Sequence, residues 1–485
     1  NSGVVFSYDI TNGVHSLVHE FDDYFSGENP IGGFSVASDG ELLGMSSLGG
    51  NGDFGTFYAI VPGSDEFKKY FDWEGDNGSE FNGSLIQTDD GLIYGLAYAG
   101  GIYNLGVLFE YNLSTGLYTK LLDFNGEGNG AHGSGKLLEA ENGLLYGVTN
   151  SGGIGGWGTL FSFNRNTNEH TLLMEFDSAT NGRQPVGGMI EAPNGKLYGL
   201  TTGGGDGLVG VLYEYDPETN AYVKKYDFAP VDGGQPHGNL MLATDGLLYG
   251  MASGAQGLAT GMIFSHNPVN AQTSIVHEFT NPLNGVNAFG SLEELDGLFY
   301  GVTAFGGANG MGVLFSYDPA LSTYETLVDF DGITNGAHPY GTLVGFNNGK
   351  LYGTTNDGNN NERGLVFEYT PQTDVFVVIE EFNGSNGNNP LYGELALIDM
   401  DFAIVGVEEP NSISRGLIFP NPSNGLVYFS NGNCFQADLY SITGQHLASY
   451  QNQVKIDIST YPSGSYILIS IDHTGKKENH RLIKE

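Results

Sequence analysis

The sequence predicts an all-β protein, an eight-bladed β-propeller of four-stranded repeats about 51 residues long (1–406) followed by a small β-sandwich (418–485). Three observations predict it. Two landmarks recur independently with one period. The aromatic of a Gly-x-x-aromatic run falls at Phe6, Tyr58, Phe109, Phe161, Tyr213, Phe264, Phe315 and Phe367, spaced 51 or 52 apart. The glycine of a Leu-Tyr-Gly run falls at Gly44, Gly95, Gly147, Gly199, Gly250, Gly301, Gly353 and a degenerate Gly406, at the same spacing until a last step of 53. Each period also holds four apolar runs too short for helices. Finally, glycine is 77 of 485 residues while aromatics reach 12%, without a collagen period, so the glycines read as turns between strands rather than as disorder.

The copy from Gly312 to Gly353 shows the elements in order. Runs at 313–317, 324–330, 342–346 and 350–354 are rich in Val, Leu, Phe and Tyr, and Gly, Asn, Asp and Pro punctuate them, so each reads as a strand. The second run closes on a recurrent phenylalanine: Phe21, Phe71, Phe124, Phe176, Phe228, Phe279, Phe330 and Phe382. A loop rich in Asn and Gly follows, and the third run opens on glycine, as in Gly341-Thr342-Leu343. Four strands per radial repeat is the propeller pattern, whereas solenoid coils are usually shorter and need atypical capping copies. Glycine weakens a strand interior unless something approaches closely, so the Leu-Tyr-Gly strand is expected near the central channel, with a bulge or strand end as the other reading.

The repeat is lost after Gly406, and 407–417, with Glu408, Glu409 and Pro410, reads as a polar linker. Short alternating runs then resume at 426–430, 437–441, 454–458 and 465–471, divided by turns such as Ser423-Asn424-Gly425 and Thr443-Gly444, as in a small sandwich.

Seventeen Lys and Arg stand against 56 Asp and Glu, a formal charge of -39. Residues 418–485 hold five of each sign, so the repeats carry all of the net charge. Such a surface repels phosphate backbones and anionic headgroups, which excludes nucleic acid as an expected partner and leaves cations and neutral sugars. Cys434 is the single cysteine, so the chain forms no internal disulfide. No apolar run reaches the length of a membrane span. The chain opens within a repeat motif at Asn1-Ser2-Gly3, without an initiator Met or signal peptide, so further sequence is expected upstream.

The last seventy or so residues resemble the type A C-terminal sorting domain of the type IX secretion system of Bacteroidota. The resemblance is carried by Phe419-Pro420-Asn421-Pro422-Ser423-Asn424-Gly425, Leu439-Tyr440-Ser441-Ile442-Thr443-Gly444-Gln445, Ile456-Asp457-Ile458-Ser459, Gly464-Ser465-Tyr466 and the basic end Arg481-Leu482-Ile483-Lys484. Within it Pro420, Asn421, Pro422, Gly425, Gly444, Gly464, Tyr466 and Lys484 mark the sorting motif. It departs in ending on the acidic Glu485. The resemblance implies the type IX machinery as a partner, export across the outer membrane, and release or attachment at the cell surface. The repeats resemble Gly- and Tyr-rich tandem repeats of secreted bacterial proteins with such anchors. They also look distantly like kelch repeats, in length and in paired glycines such as Gly306-Gly307, without the kelch tryptophan. Neither resemblance brings a substrate.

Chemistry is harder to place. The oxygen-rich loops, as in Phe330-Asp331-Gly332-Ile333-Thr334-Asn335-Gly336, are compatible with calcium, but their Asn-Gly pairs are explained by turn chemistry, so no cofactor or metal is expected. His132, His237 and His338 recur in three copies and read as loop hydrogen-bonding residues, since equivalent positions on different blades do not converge. Phe54, Leu105, Trp157, Val209, Thr260, Met311 and Arg363 precede successive Gly-x-x-aromatic runs, as packing or as a ring of contacts on one face. Repeated residues build every blade, so a binding site must use departures from the consensus: Trp157, Arg183, Arg363 and Trp73, with Trp157 as a sugar platform. No catalytic residue is assigned, because no Gly-x-Ser-x-Gly elbow, His-Glu-x-x-His, P-loop or Rossmann unit occurs. The expected function is a secreted or cell-surface binding module for carbohydrate or a surface partner. A glycan-active enzyme and a structural or adhesive surface protein are the alternatives.

Overall fold

In a computed structural model the chain divides into two compact units, Asn1–Val405 and Gly406–Glu485. The structure describes residues 3–390 except 11, 23, 31, 65, 82, 231–232, 255–260 and 360, then 395–396. In the tail it describes 418–419, 426–429, 434–441, 446–453, 455–458, 460–461, 464–471 and 477–484.

The first unit is a β-propeller, and among the described residues it has seven complete blades of antiparallel strands. Each blade runs Gly-x-Leu strand, Leu-Tyr-Gly strand, Gly-x-x-aromatic strand and Phe-closing strand, paired in that order. Blade 3 shows it plainly, with Ala131–Glu139, Leu145–Ser151, Thr159–Asn164 and Glu169–Glu175. Blades 1 to 7 end on Asp72, Asp123, Glu175, Asp227, Glu278, Asp329 and Glu381. In blade 1 two short pieces, Glu28–Pro30 and Ser35–Val36, share the edge of Leu42–Leu48 in place of one first strand.

The count differs from the expected eight. The eighth copy is represented by a two-stranded sheet, Val4–Asp9 with Val14–Glu20. It lies between blade 7 and blade 1: Phe6 meets Phe382 at 5.7 Å, and His19 stacks on Phe67 at 3.7 Å. The remaining strands of that copy were expected around Gly393 to Gly406, and of those residues only Leu395 and Ala396 are described. Ala396 packs against the cluster of Val5, Phe21, Leu42, Tyr58 and Ile60. The linker 407–417 lies outside the described residues.

The glycine reading needs correction. Blades crowd at the glycine of the Gly-x-Leu strand, not at Leu-Tyr-Gly. A methyl group at Gly290 would sit 2.5 Å from the Gly341 carbonyl oxygen, and one at Gly135 would run into the Gly187 carbonyl oxygen. The Gly-x-Leu strands are therefore innermost and touch one another around the channel. The Leu-Tyr-Gly strand is second from the channel, and its glycine makes room for a ring. Gly147 pairs with Phe161, whose Cζ would lie 2.5 Å from an added methyl group. Aromatic and glycine are thus cross-strand partners, which is why both recur with one period.

Many acids of the repeat serve as fasteners. At the end of the fourth strand, Asp72, Asp123, Glu175, Asp227 and Asp329 accept backbone N–H bonds from Asn51, Ile102, Ile154, Asp206 and Ala308 at 2.6–3.1 Å. Each ties the loop after the second strand to the blade's outer edge. In the core, Tyr94, Tyr198 and Tyr352 of the Leu-Tyr-Gly strands donate to carboxylates of the third strand, Glu110, Glu214 and Glu368, at 2.7–3.2 Å.

The tail forms two sheets. One contains Ile418–Phe419, Leu426–Phe429 and Lys455–Asp457; the other contains His446–Gln453, Cys434–Ser441, Gly464–Ile471 and Lys477–Lys484. Ala437, Leu439, Ile456, Ile458, Tyr466 and Leu468 form one buried cluster.

Candidate functional site

One face of the propeller collects the loops that join the second to the third strand within a blade and the fourth strand to the first strand of the next. These loops are locked together by a recurrent left-handed residue, at the second position of the first strand in blades 1, 3 and 4 and ahead of it in blades 2, 5, 6 and 7. Asn29, Glu80, His132, Gln184, Gln235, Asn287, His338 and Asn389 have φ between 47° and 59°, unusual for residues other than glycine. Their spacing is 51 or 52, so this signal occurs eight times. In five of the eight the N–H reaches back to the preceding blade: His132 to the Leu105 carbonyl, Gln184 to Trp157, Gln235 to Val209, His338 to Met311 and Asn389 to Arg363, at 2.7–2.9 Å. The residues before the Gly-x-x-aromatic runs are thus blade-to-blade acceptors through their backbones, and their side chains are left to vary.

Two of the expected site residues come together here. The Arg183 guanidinium lies 5.2 Å from the centroid of the Trp157 ring, which is 37% exposed. Arg183 fits because its partner across the ladder is Gly203, where a methyl group would sit 2.5 Å from Nε. Arg363 is on the same kind of loop three blades and more away, beside Gly384. Trp73 is different. It is fully buried against Phe81 at 4.2 Å and Phe109 at 4.8 Å, so it builds the junction of blades 1 and 2 and offers no ligand a surface. Trp73 takes the place of the recurrent phenylalanine in blade 1: its N–H bonds to the Gly55 carbonyl as those of Phe124 and Phe176 bond to Gly106 and Gly158, and the side chain falls on the buried side.

The sequence reading missed a second group. Two residues after the left-handed position, blades 5, 6 and 7 carry His237, Phe289 and Tyr340, whereas blades 3 and 4 carry Ser134 and Val186. His237 and Phe289 have ring centroids 5.2 Å apart, Phe289 and Tyr340 5.4 Å, and Tyr340 and Phe305 6.2 Å. Phe305 also meets His338 at 4.8 Å, and His338 Nδ1 lies 2.7 Å from Asp357 Oδ2. This aromatic arc crosses three blades, with Phe289, Phe305, His338 and Tyr340 half-buried and His237 exposed. Desolvation by the surrounding groups lowers the pKa of His237.

Two residues further along the same three segments, just before the first strands of these blades, Asn239, Ser291 and Thr342 line a depression of about 350 Å3 with Glu293, Val344 and Leu395. The arc and the depression are thus supplied by the same three stretches of chain. The wall is stitched by bonds between blades, from Gly188 N to Asn239 Oδ1, Asn239 N to Ser291 Oγ and Ser291 N to Thr342 Oγ1, at 2.8–3.0 Å. Glu293 accepts from Gly345 N at 3.0 Å, and burial raises its pKa.

His132 shares the left-handed position of His338, and its Nδ1 lies 2.9 Å from the Tyr98 carbonyl. In the oxygen-rich loops the side chains serve the backbone: Asp331 accepts from Ile333 and Thr334, and Asn335 bridges Asp331 N and the Asp329 carbonyl. Among the described residues no group of three or more His, Cys, Asp or Glu converges. Of the sorting-motif residues, Gly464 pairs with Lys484 and Tyr466 is buried, whereas Pro420, Asn421, Pro422, Gly425 and Gly444 lie outside the described residues.

Comparison with known proteins gives the following. Residues 1–207, 138–282 and 253–419 match the Gloeobacter/Verrucomicrobia repeat, and 417–485 match the secretion system C-terminal sorting domain. No curated protein matches the chain. Among solved structures it is similar to an oligogalacturonate lyase in complex with manganese, with TM-score 0.45 and 13% identity over 71% of this chain and 90% of that one. It is also similar to a protein described as a 6-phosphogluconolactonase from Bacteroides uniformis, with TM-score 0.42 and 13% identity over 66% and 89%. Scores and identities this low carry no argument about activity. Among the described residues no helix is long and apolar enough to cross a membrane. The chain belongs to the Gloeobacter/Verrucomicrobia repeat family, and its type IX sorting tail makes it a secreted protein that is attached at the cell surface.

Proposed function

We propose that the propeller is a surface-displayed binding module for neutral carbohydrate, presented by the face that carries the loops between blades. The observation that supports this best is that side chains breaking the repeat gather on that face, as the pair Trp157 and Arg183 and as the arc from His237 to Phe305. Aromatic faces suit the apolar faces of sugar rings, and the charge of -39 disfavours anionic polymers. Trp157, Arg183 and Arg363 are the contacts proposed from the loops, and the reading invokes no cofactor.

The ring has eight positions in this reading. The left-handed residue recurs eight times, and Asn389 bonds to Arg363 as its counterparts bond to their own preceding blades. The N-terminal pair of strands supplies the outer half of the eighth blade, and Ala396 packs against its Val5 and Phe21. The two sheets of the tail pack as a sandwich recognised by the secretion machinery.

Electrophoresis of the full chain through gels cast with neutral polysaccharides tests the function. Retardation by at least one polymer is the expected result, and unchanged mobility in all of them overturns it. The His338–Asp357 pair beside the arc favours one second reading, a glycan-active enzyme. Shortening of the polymer that retards the protein would establish it.

A further inference from the structure

We infer that the saccharide site is the channel wall of blades 5 to 7, where Phe289 and Tyr340 form the stacking platform and His338 with Asp357 receives hydroxyl groups. This deepens the proposed function and rests on it. The argument begins from the repeat. Two positions after the left-handed residue the side chain changes from blade to blade: Ser134 and Val186 are paired within the first strands of blades 3 and 4, whereas His237, Phe289 and Tyr340 precede the first strands of blades 5 to 7, which begin at Met241, Glu293 and Val344. Aromatic rings appear there only on consecutive blades among those described, so they adjoin and build one surface, with centroids 5.2 and 5.4 Å apart. Scattered over the ring, the same residues would form none.

The second observation is independent of the rings. On the same three blades the segments that follow the rings line the depression of about 350 Å3, within the size range of small-ligand sites. Its wall offers Asn239, Ser291 and Thr342, which are neutral donors and acceptors, and Glu293. At the platform's other side, Asp357 Oδ1 accepts from Asn356 Nδ2 at 2.5 Å, and its Oδ2 meets His338. Flat apolar faces flanked by neutral polar groups and one oriented carboxylate match a pyranose, whose ring face is apolar and whose edge carries hydroxyls. A phosphorylated or uronic ligand would bring negative charge to Asp357 and Glu293. The site is therefore one for uncharged sugar, a terminal or internal residue of a neutral glycan.

Calorimetric titration of the full chain with hexasaccharides tests it: β-1,4- and β-1,3-linked glucose, α-1,4-linked glucose, β-1,4-linked mannose and β-1,4-linked xylose. At least one is expected to bind the wild type. For that sugar, Tyr340→Ala and Phe289→Ala should each raise Kd by about ten-fold or more, Tyr340→Phe should stay within about three-fold, and Trp157→Ala should have the smaller effect. Phe289→Leu keeps the volume and loses the flat face, so it serves if an alanine variant fails to fold. Binding that survives the platform variants but is lost in Trp157→Ala overturns the inference and leaves the proposed function standing. No heat with any sugar, together with no retardation by any polymer, overturns both.

Discussion

Blades 3 and 4 and blades 5 to 7 are two arcs of one scaffold, and they differ at the innermost strand, which is nine residues long in the first arc and two or three in the second. Both use the same glycines between blades, the same Gly–aromatic pair across the second and third strands, and the same left-handed residue on the same face. At the position two residues later, the first arc carries Ser134 and Val186 and the second His237, Phe289 and Tyr340. Building residues are fixed by geometry at every blade. Residues outside that geometry are where one part of a repeat protein can become a site.

The largest effect should come from mistaking one class for the other. Trp73 and Trp157 are both departures from consensus, yet Trp73 is fully buried and Trp157 is 37% exposed. Trp73→Ala should destabilise the propeller by about 3–5 kcal/mol in denaturant unfolding, and Trp157→Ala by less than about 1 kcal/mol. Equal losses would remove the distinction.

Next come the glycines that hold the blades together. Gly135→Val and Gly290→Val each force a side chain into the neighbouring blade's backbone, one in each arc. Both should lower stability by about 3 kcal/mol, and to a similar degree, if the scaffold is one object. A marked inequality in chemical denaturation would show that the arcs are built differently.

A smaller effect concerns acid. In blade 5, burial pushes both His266 and His277 down to about 4. The unfolded chain takes up protons on these rings near pH 6.5 and the folded chain only near 4. Their contribution is intact above pH 6.5 and is lost as pH falls from 6.5 towards 4. Melting temperature should drop over that window, and His266→Phe, which removes one such group, should flatten the drop. A drop of the same size in the variant would place the acid sensitivity elsewhere.

The smallest expected effect is at the loop fasteners. Asp227→Asn weakens the bond from Asp206 N and the ion pair to Lys224, and should cost about 1 kcal/mol. A neutral outcome in thermal unfolding would mean that water replaces the carboxylate without loss.

Fold class was legible because a four-stranded blade repeats its punctuation: the described Leu-Tyr-Gly glycines and the Gly-x-x-aromatic rings fell on strands, whereas the recurrent phenylalanines, Phe71 aside, fell one residue past the end of a strand. The place of the glycines was not. Gly147 and Gly135 look alike in sequence, and only the register with Phe161 and the approach of Gly187 distinguish them. The Trp157–Arg183 pair was half legible: both residues were departures, and Gly203 was the unread signal that an arginine fits there. The aromatic arc was missed because His237, Phe289 and Tyr340 lie 51 or 52 residues apart and each is ordinary alone. Aligning the copies column by column, and asking which column changes chemistry over consecutive blades, would have found it.

Hydrogen exchange of the full chain, with and without the oligosaccharide that binds most tightly, tests the central claim most directly. The account expects slowed exchange in 286–292, 303–307, 337–343 and 355–358, with 131–137 and 183–189 unchanged. Slowing confined to 131–137 and 183–189, or spread evenly over all blades, would contradict it.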